Sequence, residues 1–326
     1  MKRILNVLLS ATLLSGFGLI SEAFAASKFP VKPISLYVGF APGGSTDTIA
    51  RGLVDAAGEE LGGKVLVVNK PGAGGAVAAA LVAKAKGDGY TLQISPDTPL
   101  TRAPHLRKLA FDPMKDFTFI SRVAVWKNGY VVLEDSQFKT WKDVVQWAKA
   151  NPGQLKVGTP GAGTTPDILM AVIAKRDGFT YRSTPFKGDS PNMAALLGGH
   201  ITVAGSGLGA WSKYVKAKKM RLIMVEDGVT GFADAPDYKS LGYDVSSPTA
   251  AIIFGPKGIP TEIVNKLGEA FAAAAKSAAF KTVSDAMELS EVNNPLYGKA
   301  LDKYVRKNYN LYKKYVDEGG LAKKKK

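Results

Sequence analysis

The chain contains no cysteine and only two histidines, His105 and His200, among its 326 residues. The lack of cysteine excludes disulfide bonds, thiolate nucleophiles, cysteine-bound zinc and iron–sulfur clusters. Two histidines are too few for a multi-histidine metal site, and neither is close in sequence to a candidate nucleophile, which disfavours a Ser-His-Asp triad. The glycine run at residues 72–75 lacks the spacing of dinucleotide sites, and no G-x-x-x-x-G-K-[ST] loop occurs. We therefore expect neither a cofactor nor a metal.

Acidic residues are few relative to basic ones. Lys and Arg number 43 against 28 Asp and Glu, which gives a formal net charge of +15. Such an excess favours anionic ligands, anionic surfaces or nucleic acid as partners. The chain is 46% hydrophobic and 22% charged, a globular composition that excludes disorder as the main state.

The N-terminus decides between these partners. Lys2 and Arg3 precede a mostly apolar run at residues 4–20, and the sequence Ala-Phe-Ala follows at residues 23–25. This order predicts a secretory signal peptide at residues 1–25; a single membrane anchor is the alternative, although the run is short and interrupted. A secreted protein seldom meets nucleic acid, so the charge favours anionic ligands or a membrane surface. We expect a bacterial periplasmic location, where a chain without cysteine is ordinary.

Apolar periodicity after the signal predicts alternating strands and helices. Strands are expected at residues 34–38, 65–68 and 90–94, and helices at residues 48–61 and 76–84. The first helix has one apolar face, formed by residues four apart: Ile49, Leu53, Ala57 and Leu61. A βαβαβ order of this kind predicts a parallel sheet with right-handed crossovers.

A second α/β unit begins near residue 121, and the chain returns to the first unit near residue 247. We therefore predict two lobes, residues 26–122 with 247–326 and residues 123–246, joined by two strand-like crossings. A last helix is indicated by residues at helical spacing: Leu301, Val305, Tyr309, Tyr312 and Val316. The lysines at residues 323–326 are expected to form a frayed tail.

Three glycine-rich turns lie between predicted strands and helices, at residues 40–47, 71–75 and 159–167. The first backbone N–H groups of a helix lack intrahelical partners, and glycine allows a carboxylate or phosphate to approach them. One such turn can simply be a tight loop. A matched pair, one in each lobe, suggests an anion site between the lobes.

Single residues near these turns have two interpretations. Asp47 can stabilise the helix start and pair with Arg51 four residues later, or contact a ligand. Lys187 can clamp a ligand or be an ordinary surface lysine.

Eight segments, in this order, resemble the signatures of the tripartite tricarboxylate transporter substrate-binding proteins, also called the Bug family. They are residues 39–47 (GFAPGGSTD), 69–75 (NKPGAGG), 87–92 (GDGYTL), 111–117 (FDPMKDF), 150–153 (ANPG), 185–188 (PFKG), 197–199 (LGG) and 255–260 (GPKGIP). The similarity covers nearly the whole chain after the signal, from about residue 29 to 290.

The resemblance implies a two-lobed α/β periplasmic binding protein of the Venus-flytrap type II class, with parallel-rich sheets and two crossover strands. It implies a receptor rather than an enzyme, which closes on a small organic carboxylate and passes it to the large and small subunits of a membrane permease. A monomer is expected, with no nucleic-acid partner. The ligand-binding residues that it implies or that lie in the matching turns are Phe40, Ala41, Gly43, Gly44, Ser45, Asp47, Ser95, Asp97, Gly161, Gly163, Thr164, Thr165, Asp167 and Lys187.

The chain departs from the family pattern at three positions. The family often has serine at the place of Thr164 and histidine near the place of Asp167, and its Tyr-Lys-Gly is Phe-Lys-Gly at residues 186–188. Asp167 can therefore be a helix-end charge, or it can face the ligand and repel additional carboxylates. Two rival functions are a receptor that presents its ligand to a sensor kinase and a secreted hydrolase on a similar scaffold.

Overall fold

The computed structural model describes residues 29–229, 231–232, 234–245, 249–290, 292 and 294–322. The predicted signal peptide, the lysine tail at residues 323–326 and the part of the second crossing at residues 246–248 lie outside the described residues.

Ten strands and eleven α-helices form within these ranges. The strands are β1 (Ile34–Val38), β2 (Val65–Asn69), β3 (Thr91–Pro96), β4 (Phe117–Trp126), β5 (Asn128–Leu133), β6 (Lys156–Thr159), β7 (Arg182–Pro185), β8 (Val203–Gly207), β9 (Met220–Val225) and β10 (Thr249–Pro256). The helices are α1 (Ser45–Leu61), α2 (Ala76–Val82), α3 (Thr98–Thr101), α4 (Ala103–Leu106), α5 (Trp141–Ala150), α6 (Thr165–Asp177), α7 (Asp189–Leu197), α8 (Leu208–Lys216), α9 (Thr261–Ala275), α10 (Ala278–Met287) and α11 (Gly298–Glu318). A 3-10 turn, Ala73–Gly75, precedes α2.

The first lobe is built on a five-stranded sheet in the order β2-β1-β3-β10-β4. The predicted parallel pairing is confirmed for β1 with β2 and β3, whereas β10 runs antiparallel to β3 and β4. The predicted apolar face of α1 packs into the core on one side of this sheet, with Ile49 and Leu53 completely buried. Burying such a side chain stabilises the fold by about 1.5–3 kcal/mol. A second apolar cluster, which includes residues of α2 and α11, contains β10 residues from the same sheet.

The second lobe repeats this plan with a sheet in the order β7-β6-β8-β5-β9. Strands β6, β7 and β8 are parallel, and β5 is antiparallel to both of its neighbours. In each sheet the strand that follows a crossing therefore lies antiparallel beside the parallel strands: β10 in the first lobe and β5 in the second. This arrangement confirms the two-lobed α/β architecture.

The chain leaves the first sheet later than predicted. β4 extends to Trp126, because Val125 and Trp126 pair with Ala250 and Thr249 of β10. Residues 123–126 therefore belong to the first sheet, although the sequence analysis placed them in the second lobe. Lys127 alone separates β4 from β5, so this crossing is almost continuous strand.

Helix α11 connects the two lobes a third time. Its N-terminal half contributes Leu301 and Val305 to a core of the first lobe. Its C-terminal half contributes Tyr312, Tyr315 and Val316 to the core of the second lobe. The predicted helical spacing is therefore confirmed, and one helix is shared between two hydrophobic cores.

Candidate functional site

A narrow cleft with a cavity volume of about 20 Å³ lies between the two lobes. That volume has room for about one water molecule, so the lobes lie close together in this structure. The first lobe lines it with Phe40, Thr46, Pro96 and Thr98. The second lobe lines it with Pro160, Thr164, Thr165, Pro166, Asp189 and Gly207. The strands at the crossings add Trp126, Asn128 and Thr249.

The same turn enters the cleft from each lobe. In the first lobe the pattern is Gly43-x-Ser45-x-Asp47, and in the second it is Gly163-x-Thr165-x-Asp167. Both glycines have positive φ, 73° and 80°, a conformation that favours glycine. In both turns the glycine N–H donates to the aspartate Oδ2 four residues later, at 2.9 Å and 2.8 Å. Each aspartate therefore holds a glycine turn against the start of a helix.

Asp47 is a rigid part of the first turn. Its carboxylate also accepts hydrogen bonds from Arg51, at 3.0 Å, and from the Asn69 amide, at 2.9 Å. The Arg51 contact is the pair predicted from the spacing of four residues. Burial opposes ionisation of Asp47, but the hydrogen bonds from Arg51, Gly43 and Asn69 outweigh burial and lower the pKa of Asp47. The same Asn69 amide donates to the Phe40 carbonyl, which ties β2 to the turn.

Asp167 has the same position in the second turn but different surroundings. Its second oxygen accepts a hydrogen bond from the Ser183 hydroxyl at 3.0 Å. Burial raises the pKa of Asp167, despite hydrogen bonds from Gly163 and Ser183 and the nearby charge of Arg107. Both oxygens are directed to these partners, and Thr164 and Thr165 line the cleft instead. This geometry favours the helix-end interpretation of Asp167 over contact with a ligand.

Three hydrogen bonds join the lobes at the rim of the cleft. The Ala41 N–H donates to the Lys187 carbonyl at 2.8 Å, and the Ser190 hydroxyl donates to the Pro42 carbonyl at 3.2 Å. The Ser45 N–H donates to Asp189 Oδ2 at 3.0 Å. Lys187 thus reaches the first lobe through its backbone, while its side chain is exposed.

The third glycine turn also meets the second lobe. A Cβ added to Gly161 would lie 3.3 Å from the Cα of Gly74, and a Cβ added to Gly74 would lie 2.8 Å from the carbonyl oxygen of Ala162. The two backbones approach so closely that a side chain at residue 74 or 161 would crowd the facing backbone. Gly161 therefore belongs to the contact between the lobes.

The end of β3 supplies both lining and buried residues. All four residues at positions 95–98 are buried, but only Pro96 and Thr98 belong to the cleft lining, and Ser95 and Asp97 do not. Asp97 forms an ion pair with Arg102 at 2.8 Å, and both side chains are inaccessible to solvent. Predicted ligand residues Ser95 and Asp97 thus lie behind the lining.

A buried polar chain crosses from this ion pair to the second lobe. Arg102 donates to the hydroxyl of Tyr312, and that hydroxyl lies 3.4 Å from the Thr165 hydroxyl. The Thr165 hydroxyl is 2.8 Å from that of Thr249, which accepts a hydrogen bond from Asn128. This chain runs along the crossing side of the cleft and links both lobes through α11.

Only Phe40, Thr164 and Thr165 of the thirteen lining residues are in the predicted set. The ten others are Thr46, Pro96, Thr98, Trp126, Asn128, Pro160, Pro166, Asp189, Gly207 and Thr249. Trp126, Asn128 and Thr249 lie on the crossing strands, where nothing in the local pattern distinguishes them. Asp189 directly follows the PFKG segment and begins α7, so the start of a helix after a glycine was its available signal.

Among the described residues, no group of three or more His, Asp or Glu side chains is arranged to hold a metal ion. Within the same ranges, no helix has the length and apolar character of a membrane span.

Comparison with known proteins gives a consistent result. The family described as "Tripartite tricarboxylate transporter family receptor" matches residues 49–320. A protein of Cupriavidus necator, the "UPF0065 protein in gbd 5'region", is 36% identical over 319 residues, which cover 96% of this chain and 95% of that protein. The periplasmic binding protein BugD has a TM-score of 0.86 at 24% identity, with 91% of this chain and 100% of that chain covered. MatC from Rhodopseudomonas palustris with bound malate has a TM-score of 0.80 at 24% identity, with 88% and 100% covered. The chain belongs to the tripartite tricarboxylate transporter receptor family.

Proposed function

We propose that this protein binds a small organic carboxylate between its two lobes and delivers it to a membrane permease of the tripartite tricarboxylate type. The observation that carries the proposal is the convergence of two matched glycine turns, each at the start of a helix, on one cleft. The N-terminus of a helix presents unpaired N–H groups and a partial positive charge, which favour an anion. The bound malate of MatC, which shares the fold, supports a carboxylate as the ligand class.

The second-lobe turn is the better place for the ligand carboxylate. Thr164 caps α6 and Thr165 begins it; both line the cleft, and Pro166 has no N–H to satisfy. The aspartate of this turn is directed to Gly163 and Ser183 rather than into the cleft. On the first-lobe side we assign Phe40 and Thr46 to the ligand, whereas Gly43 and Asp47 shape the turn.

The remaining parts of the proposal concern location and partners. The N-terminal 25 residues direct export to the periplasm and are then removed, and the receptor acts as a monomer. Closure of the lobes sequesters the ligand, and the permease distinguishes the closed form from the open one.

A thermal-shift panel tests the ligand class directly. The panel contains mono-, di- and tricarboxylates, sugars, and cationic amines without a carboxylate. A ligand present at 100 times its Kd stabilises the fold by about 2.7 kcal/mol, so at least one acid is expected to raise the melting temperature clearly. Mass spectrometry of the molecule released from denatured protein identifies a co-purified acid. Stabilisation by sugars or amines alone would contradict the proposal.

A further inference from the structure

Asp189 contributes a carboxylate to the lining of the cleft that the second-lobe turn also lines. It is the first residue of α7 in the second lobe, and its Oδ2 accepts the hydrogen bond from the Ser45 N–H in the first lobe. Of the two carboxylate oxygens of Asp189, Oδ2 already accepts a hydrogen bond from the backbone of α1, and Oδ1 is the other.

The position of Asp189 is the one that a ligand anion would take at α1. A Cβ added to Gly44 would lie 3.5 Å from both the backbone nitrogen and Oδ2 of Asp189, so the carboxylate lies directly over the first-lobe turn. Ser45 is the first residue of α1, and its N–H is one of the donors that helix starts offer to anions. The protein's own carboxylate therefore occupies the anion position of the first lobe.

The surroundings of the two helix starts consequently differ. At α6 the turn aspartate is directed away, and the uncharged residues Thr164 and Thr165 belong to the cleft lining. At α1 the lining includes the carboxylate of Asp189, for which the described residues contain no ion-pairing Lys or Arg. A ligand carboxylate is favoured at the start of α6 and repelled by Asp189 at the start of α1.

We infer that Asp189 is a specificity-determining residue that restricts the ligand to one carboxylate, held by the second-lobe turn, and requires a hydrogen-bond donor at the other end. Hydroxyl, amide and ammonium groups can donate to the free oxygen of Asp189, whereas a second carboxylate would be repelled by it. This inference rests on the proposed function, because it assigns the orientation and charge of the proposed carboxylate ligand.

Pairs of acids that differ only in the distal group test the inference. Succinate, glutarate and adipate are compared with their monoamides of the same chain length, by calorimetric titration. In wild-type protein we expect the preferred monoamide to bind at least tenfold more tightly than the matching diacid. Asp189→Asn should reduce this preference at least tenfold, chiefly by strengthening the diacid. The asparagine oxygen can still accept from the Ser45 N–H, so the variant removes the charge and keeps the contact between the lobes.

Ser190→Ala is the matched control. It removes the neighbouring hydrogen bond between the lobes, to the Pro42 carbonyl, without changing charge. We expect it to weaken a diacid and its monoamide by the same factor. An unchanged preference in Asp189→Asn, in a protein that binds these acids, would overturn the inference and leave the proposed function standing. If none of the six acids binds either protein, the inference also fails, while the wider panel of acids still decides the proposed function separately.

Discussion

Asp47 and Asp167 make the same hydrogen bond to a turn glycine, yet their surroundings shift their pKa values in opposite directions. Arg51 and Asn69 stabilise the charge of Asp47, and its pKa is lowered. Asp167 has a serine hydroxyl in their place, and burial raises its pKa. The two aspartates therefore occupy the same turn motif in two different electrostatic environments.

Replacing each aspartate by asparagine should therefore have unequal effects on stability. Asp47→Asn is expected to lower the free energy of unfolding at pH 7 by about 1–2 kcal/mol, because it removes charge-assisted hydrogen bonds. Asp167→Asn should change it by less than about 0.5 kcal/mol or raise it slightly, because the ionised form of Asp167 is disfavoured by burial. Urea unfolding of both variants and wild type measures the difference. Equal losses would show that the shared glycine bond dominates.

The pH dependence has an opposite sign for the two residues. Asp47 has a folded pKa below its unfolded value, so its contribution is complete above the unfolded pKa and is lost as pH falls through the folded pKa. The cost of Asp47→Asn should consequently shrink in acid. Asp167 has a raised folded pKa, so its ionisation reduces stability as pH rises from the unfolded pKa through the folded one. Unfolding curves at several acidic pH values, with each variant, separate the two.

The sequence predicted the local contacts of the site and missed those between lobes. Arg51 is four residues from Asp47 on one helix, so spacing alone indicates their pairing. Asp189 meets Ser45 across 144 residues of chain, and only the relative placement of the lobes brings them together. Ser95 and Asp97 were assigned to the cleft from the family resemblance. Ser95 lies on β3, where alternate residues point to opposite sides, and Asp97 follows the strand and pairs with the buried Arg102.

At the level of elements, the glycine turns set how closely the lobes approach. Gly74 has φ of 58°, and a Cβ on it would meet the Ala162 carbonyl of the other lobe at 2.8 Å. Gly74→Ala is expected to weaken ligand binding at least tenfold, because the closed form must separate by several tenths of an ångström to accept the methyl group. Calorimetry with the acid identified by the panel measures the effect.

Gly62→Ala is the control for backbone strain. Gly62 has a similar φ of 68° at the end of α1, and nothing lies within 4 Å of an added Cβ. Both substitutions place alanine in a left-handed conformation, at a cost of about 1–2 kcal/mol in stability. Only Gly74→Ala should alter affinity. Equal affinities for the two variants would show that the turn does not limit closure.

Elements with clear periodicity were predicted, and elements defined by pairing were not. The burial of α1 follows the spacing of its apolar residues. Strand β7 has the polar sequence Arg-Ser-Thr-Pro, mostly exposed, and exists because it pairs with β6 at the edge of the sheet. Helix α8 follows a glycine-rich strand and contains Gly209, so its short apolar face, with Trp211 fully buried, gave too weak a signal.

At the level of the whole molecule, α11 belongs to two cores, and we expect the lobes to unfold together. Val305 in the first lobe and Val316 in the second are both completely buried. Val305→Ala and Val316→Ala should each lower the free energy of unfolding by about 2 kcal/mol through lost burial and cavity formation. In both variants the tryptophan fluorescence and far-ultraviolet circular dichroism transitions should remain coincident. Separate transitions for the two probes would show that the lobes are independent.

The overall topology was only partly predictable. Alternating strands and helices indicated parallel pairing, which holds for β1, β2 and β3. The insertion of β10 between β3 and β4 could not be read from periodicity, because it depends on where a distant segment returns. The first crossing was placed too early for the same reason, since β10 is the partner that extends β4.

We expect the buried chain from Arg102 through Tyr312 and Thr165 to Thr249 to lie near the axis about which the lobes rotate. When one lobe rotates relative to the other, the displacement of a residue grows with its distance from the rotation axis. The hydroxyl contacts of this chain, 2.8 Å and 3.4 Å long, lie on the crossing side of the cleft. The contact of Ser190 with Pro42 lies at the rim. We therefore expect opening to move the rim furthest and the ligand to enter and leave past Pro42 and Ser190.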